Sequence, residues 1–175
     1  MIKQPPEEIH CHAKAMEIFV KKAHEAKLYR PVAVAIIQNR HNKILIVESA
    51  KNKNESNPPQ GGIEEDEEII DALFREIKEE VGISKKHLKL TAYLGVQDLD
   101  SQKSKRGARG FALGKRYFFF CLRYRGPAKI KIQKSEVKNY RWVRLGAMKR
   151  ALAKTRRSKR LMLLEFFQRA GPYLT

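Results

Sequence analysis

Cysteine is scarce in this 175-residue chain, with only Cys11 and Cys121, too few for a disulfide framework. No apolar run approaches the ~20 residues of a membrane helix, and the opening MIKQPPEEIH contains no apolar segment of the kind a secretory signal needs. These absences exclude a disulfide-stapled secreted domain and a membrane-spanning helix. They predict a soluble protein in a reducing, cytoplasmic setting. Negative charge is also in short supply: 19 Asp and Glu stand against 37 Lys and Arg, a formal net charge of +18. No internal repeat or clear linker breaks the sequence, and its length suits one compact domain with a real core.

The few acids are concentrated. Nine of them (Glu64, Glu65, Asp66, Glu67, Glu68, Asp71, Glu76, Glu79 and Glu80) lie within 58–83 beside only Arg75 and Lys78, so that stretch carries −7 and the remainder +25. A basic shell around an acidic centre suits a polyanion that must present phosphate to a metal ion. Nucleic acid and a polyphosphate nucleotide both answer that description.

Spacing sharpens the acidic stretch, PPQGGIEEDEEIIDALFREIKEEVGI. Gly61 and Gly62 predict a backbone turn at positive φ that approaches a ligand closely. Ile69, Ile70, Leu73, Ile77 and Val81 recur at helical spacing, which predicts a helix over 67–81 closed by Gly82. On it Glu76, Glu79 and Glu80 fall at i, i+3 and i+4, on one face. Three like charges there cost stability unless a divalent cation joins them, and hard oxygen ligands suit Mg²⁺ or Mn²⁺. Arg75 is placed to orient one carboxylate, and Glu67 lies about two turns back on the same side.

Around this centre the predicted elements are as follows. A helix starts after Pro6 and runs to 27 with Ile9, Ala13, Met16, Phe19, Val20 and Ala23 on one face. His10, Cys11 and His12 are adjacent residues on that helix and point apart, so they do not form a metal site. Strands are expected over 32–38 and 43–48, joined by a polar turn, then over 87–97, 116–125 and 138–143. The run 117–122 is nearly continuous in apolar residues, which predicts a central, doubly buried strand. A basic loop over 98–115, with Lys103, Lys105, Arg106 and Arg109, is long enough to be functional. Helices over 145–153 and 161–170 flank the basic segment 154–160, a candidate phosphate contact. The order of elements predicts an α/β fold, a mixed sheet covered on both sides.

The pattern Gly61, Glu67, Arg75-Glu76-Ile77, Glu79-Glu80, Gly82-Ile83 fills every position of the Nudix box, so the chain resembles the Nudix hydrolase superfamily. Pro59-Gln60-Gly61-Gly62, Tyr29-Arg30-Pro31, and Glu136 followed by Tyr140-Arg141-Trp142 are similar to bacterial RNA pyrophosphohydrolases and dinucleoside polyphosphate hydrolases. The resemblance spans 28–166 and implies a Nudix α/β/α sandwich over 28–175, with 1–27 an added helical extension. It implies that Glu76, Glu79, Glu80 and the Gly61 carbonyl ligate Mg²⁺ (Mn²⁺ as the alternative), that Glu136 completes the metal site or acts as base, and that Arg75 orients Glu76. Gly62, Glu67 and Gly82 complete the motif. Arg30, Lys115, Arg116 and, by looser analogy, Lys154, Arg156 and Arg157 are the expected substrate-binding residues. The implied activity is hydrolysis of a phosphoanhydride in 5′-triphosphorylated RNA or a dinucleoside polyphosphate. One departure bears on substrate: those enzymes carry Trp and Phe before PQGG, whereas this chain has Ser56-Asn57-Pro58. A nucleoside triphosphate or nucleotide sugar therefore stays open as substrate. A non-catalytic RNA-binding module fits less well with an intact glutamate set. The sequence leaves the oligomeric state open.

Overall fold

The computed structural model describes residues 4–51, 55–100, 111, 113–127 and 129–174. Chain order gives α1 (Pro6–Ala26), β1 (Tyr29–Gln38), β2 (Lys43–Ser49), β3 (Ser56–Asn57), β4 (Gln60–Gly62), α2 (Ile69–Val81), β5 (Leu88–Asp100), β6 (Gly114–Tyr124), β7 (Val137–Arg144), α3 (Met148–Ala151) and α4 (Arg157–Ala170). All seven strands form one sheet with the path β3-β2-β1-β6-β5, while β4 pairs with β1 and β7 with β2. The β1–β6 pair is parallel and the other pairings are antiparallel, so the sheet is mixed.

Period-2 alternation along β1 and β6 divides the core. Ala33, Ala35 and Ile37 with Phe118, Phe120 and Leu122 face one way and pack against Ile9, Ala13 and Val20 of α1 and Ile69, Leu73 and Ile77 of α2. Val32, Val34 and Ile36 with Tyr117, Phe119 and Cys121 face the other way, onto Met148, Met162, Leu163, Phe166 and Phe167 of α3 and α4. The architecture is an α/β/α sandwich with an N-terminal helix, and β6 is central and buried as the apolar run predicts. No helix among the described residues is long and apolar enough to cross a membrane.

Several boundaries differ from expectation for local reasons. Helix α2 begins at Ile69, not 67, because Glu67 turns back to accept Arg75 Nε and Nη2, both at 2.7 Å. Strand β1 starts at Tyr29 and takes in Arg30-Pro31, since β6 pairs with it from Tyr29↔Gly114 onward. Phe19 is 44% exposed although it shares the spacing of the buried face of α1. The segment 145–153 is a 3₁₀ turn (Leu145–Ala147) followed by the single turn α3, whereas α4 starts four residues early, at Arg157. Strand β5 extends to Asp100 and β6 begins at Gly114, narrowing the basic loop. Its Lys103, Lys105, Arg106 and Arg109 lie outside the described residues.

Candidate active site

Gly61 and Gly62 sit in β4, paired with Ala33 and Val32 of β1. Neither has positive φ, contrary to the turn expected; among the described glycines, Gly82 and Gly95 have it. What requires glycine here is close approach. A Cβ on Gly61 would stand 1.8 Å from the Glu76 carboxylate, and one on Gly62 would stand 2.1 Å from Arg30 Nη2. The glycine pair thus has a carboxylate against one member and a guanidinium against the other.

On the acidic side, Arg75 is the hub. Besides Glu67 it donates to Glu76 Oε1 (2.8 Å), Glu79 Oε2 (3.2 Å) and the Gly62 carbonyl (2.8 Å). Burial works against the Glu67 charge, yet the Arg75 fork and the Glu64 backbone N–H hold its carboxyl below the usual range. Glu76 goes the opposite way: burial raises it despite its bond to Arg75. Glu80 accepts the Gln60 N–H at 3.0 Å and is nevertheless pushed up to about 8, chiefly by burial, with Glu76 and Glu136 adding repulsion. Glu136 enters from the turn before β7, near enough for its charge to act on both glutamates, and meets Lys51 Nζ at 3.0 Å. Glu79 is the most exposed of the helical three, at 54%. Gly82 ends α2 at φ 66° as a left-handed cap, as its position predicts.

No group of three His, Cys, Asp or Glu side chains among the described residues forms a ready-made cage. The donor set still fits a hard divalent cation. It consists of carboxylate oxygens, it brings Glu76 against the Gly61 backbone, and its members repel one another without a cation between them. Gln60 Oε1 and Asn57 Oδ1, beside the same glycine pair, are buried acceptors without a hydrogen-bond partner among the described residues.

Opposite lies a cationic side. Arg30 and Lys115 are register partners on parallel strands, so their side chains share a face, and Tyr117 follows on that face two residues along β6. Burial pushes the Lys115 ammonium down to about 8, helped by the charges of Lys159, Arg30 and Arg156. Lys159 itself is 5% exposed, with Nζ 2.8 Å from Glu55 Oε1 and 5.7 Å from the centre of the Tyr117 ring. Arg156 also donates to the Asp100 carbonyl at 3.3 Å. The structure does not bring Arg116 to this group: it faces away from Lys115 and grips Asp98 through two 2.7 Å bonds. Lys154 and Arg157 are exposed.

Glu55 and Lys159 were not singled out by sequence reasoning. Lys159 belongs to the basic segment 154–160, but one signal sets it apart: it shares the apolar face of Met162, Leu163 and Phe166 at i+3, i+4 and i+7. Glu55, in a polar loop, gives no such signal.

The NUDIX domain model matches residues 28–166. The chain belongs to the Nudix family. An RNA pyrophosphohydrolase of Sphingopyxis alaskensis is 28% identical over 151 residues, covering 82% of this chain and 96% of that protein. One from Haemophilus influenzae is 32% identical over 123 residues, covering 66% of this chain and 62% of its own. With one from Xanthomonas oryzae pv. oryzae, 32% identical over 95 residues, the match takes in 49% of this chain and 45% of the relative. Among solved structures, the E. coli dihydroneopterin triphosphate pyrophosphohydrolase superposes with TM-score 0.65 at 21% identity, covering 81% of this chain and 95% of that one. A C. elegans Ap4A hydrolase does so with TM-score 0.62 at 17% identity, covering 82% and 97%. These two likenesses speak for the Nudix fold.

Proposed function

We propose that this Nudix hydrolase is a Mg²⁺-dependent pyrophosphohydrolase acting on the phosphoanhydride chain of 5′-triphosphorylated RNA or of a dinucleoside polyphosphate. The observation that carries this reading is the placement of an acidic side and a cationic side across one glycine pair, Glu76 against Gly61 and Arg30 against Gly62. A polyphosphate has the charge and length to engage both. The pyrophosphohydrolase names of the relatives support the substrate class, and the two unpaired cysteines agree with a reducing, cytoplasmic setting.

Glu76, Glu79, Glu80, Glu136 and the Gly61 carbonyl are the groups that would hold Mg²⁺. When bound, the ion supplies charge neutralisation and lowers the pKa of water. Arg75 fixes the direction of Glu76 through its 2.8 Å bond. One of Glu76, Glu79 and Glu80, or Glu136, would take the proton from the attacking water as general base. Arg30, Lys115 and Arg156 position the phosphates and offset the charge that builds on the departing oxygen, the main protein contribution in phosphoryl transfer. Lys154 and Arg157 are available to the backbone of a longer RNA.

A second reading, hydrolysis of a small nucleotide such as a nucleoside triphosphate or nucleotide sugar, is favoured by Ser56-Asn57-Pro58, which places no aromatic ring before the glycine pair. The deciding experiment is product analysis with Mg²⁺ on 5′-triphosphorylated RNA, a diadenosine polyphosphate, deoxynucleoside triphosphates and ADP-ribose. Release of phosphate or pyrophosphate chiefly from RNA or the dinucleotide is the expected result. Preference for a deoxynucleoside triphosphate or ADP-ribose would replace the first reading with the second.

A further inference from the structure

Lys159 is placed where a lysine is disfavoured twice over. It is buried, and it lies in the first turn of α4, whose N-terminal end carries Arg156, Arg157 and Arg160 and no acidic residue. A buried ammonium is costly unless paired, and a cation at a helix N-terminus opposes the helix dipole. An apolar residue would continue the face formed by Met162, Leu163 and Phe166. Glu55 answers part of the cost at 2.8 Å, but Lys115, Arg30 and Arg156 surround the same place with three more positive charges.

The pair is also held in position deliberately. Thr155 Oγ1 donates to the Ser56 carbonyl at 2.8 Å and accepts the Ser56 N–H at 3.2 Å, which ties the residue after Glu55 to the segment before α4. Ser56 and Asn57 pair with Glu48 and Val47 of β2, so this run is a buried edge strand leading directly into the glycine pair. Lys159 lies close enough to Glu80 for that charge to act on it as well, so it stands between the two sides of the site.

We infer that Lys159 is a phosphate-binding residue of this site: with Lys115 it takes a phosphate of the substrate chain next to the one held at the carboxylates, and Glu55 occupies that position until the phosphate displaces it. This deepens the polyphosphate reading above and rests on it. Exchange of one oxyanion for another leaves the buried ammonium paired throughout. A phosphate also brings more acceptor oxygens than the carboxylate, enough for several cations at once.

The test uses inorganic tripolyphosphate as the probe, titrated calorimetrically into chelator-treated full-length protein at pH 7 and one fixed salt concentration. Because Lys159→Met alone would remove the charge that Glu55 meets at 2.8 Å and so shift the local charge balance, the decisive variant is the double substitution Glu55→Gln with Lys159→Met, which removes both charges together. The expected results are loss of affinity by about tenfold or more in the double variant, retention in Lys159→Arg, and tighter binding in Glu55→Gln, where the competing carboxylate is gone. Wild-type affinity in the double variant, or weaker binding in Glu55→Gln, would make the pair a structural ion pair only and overturn the inference. Binding is read without turnover, so a substrate panel that favours small nucleotides would change the proposed function and leave this result standing.

Discussion

Arg75 and Lys159 are the cations that organise the two sides of the site, and they are held in different ways. Arg75 meets Glu67 with a bidentate fork and reaches Glu76, Glu79 and the Gly62 carbonyl as well, so its donors are satisfied within the protein. Lys159 pairs with Glu55 while three further cations crowd the same space. The first arrangement fixes geometry: a planar guanidinium locks the direction of several carboxylates at once. The second leaves positive charge in excess, which is what a site needs if an anion is to gain by entering it. Order on one side and a cluster of like charge on the other is the division of labour expected of a phosphoryl-transfer site.

The comparison breaks most sharply at the acidic side. Glu80→Gln is close in shape and keeps an oxygen able to accept the Gln60 N–H, so the fold should survive while turnover falls by about 10³-fold or more. A circular dichroism melt beside a hydrolysis assay checks both halves, and turnover near wild type would remove the metal-site reading. Glu136→Ala should cost less, about 10²-fold in kcat, the scale of one acid or base group. An unchanged rate would show that Glu136, for all its proximity to Glu76 and Glu80, serves Lys51 and nothing else.

These residues were legible in the sequence because the box is local: Glu76, Glu79 and Glu80 lie within two helical turns, and regular geometry places them without any knowledge of the fold. The central place and double burial of β6 were likewise written in the apolar run 117–122. The glycine pair was found for an incomplete reason, since the close approach of Glu76 and Arg30 depends on tertiary packing and not on turn conformation. The cationic side was hardly legible. Glu55 and Lys159 are 104 residues apart, and nothing local announces that Thr155 and Ser56 will staple their segments together. Lys115 and Arg116 look equivalent in a basic run, yet alternation along β6 sends one to the site and the other to Asp98.

Smaller perturbations sharpen the contrast between fixed and available charge. Arg75→Lys keeps the charge but loses the fork, and should lower stability by about 1–2 kcal/mol, discounted for partial exposure, with kcat reduced about tenfold as Glu76 loses its direction. A thermal shift of about 5 °C is the corresponding readout for a domain of this size. A rate loss without any loss of stability would mean that Arg75 meets the substrate directly.

The mildest expected effect is a pH dependence on the cationic side. Lys115 is held down to about 8, chiefly by burial, so it is charged at pH 7 and neutral well above 8. The sign for binding follows: attraction for phosphate is complete below about pH 8 and declines as pH rises through it, so KM for a polyphosphate should increase about three- to tenfold between pH 7 and 9. The sign for stability is opposite. A lysine whose pKa is lowered by folding is a cost while protonated, and that cost is relieved as pH climbs from about 8 toward the unfolded value of ~10.4. Glu80 also titrates near 8 in the free protein, but it is common to wild type and Lys115→Arg, so the difference between their profiles isolates the lysine. Lys115→Arg keeps its charge throughout the range and should flatten the rise in KM. Parallel profiles in the two proteins would show that Lys115 is not in contact with the phosphates, and would leave Arg30, Arg156 and Lys159 to hold the chain.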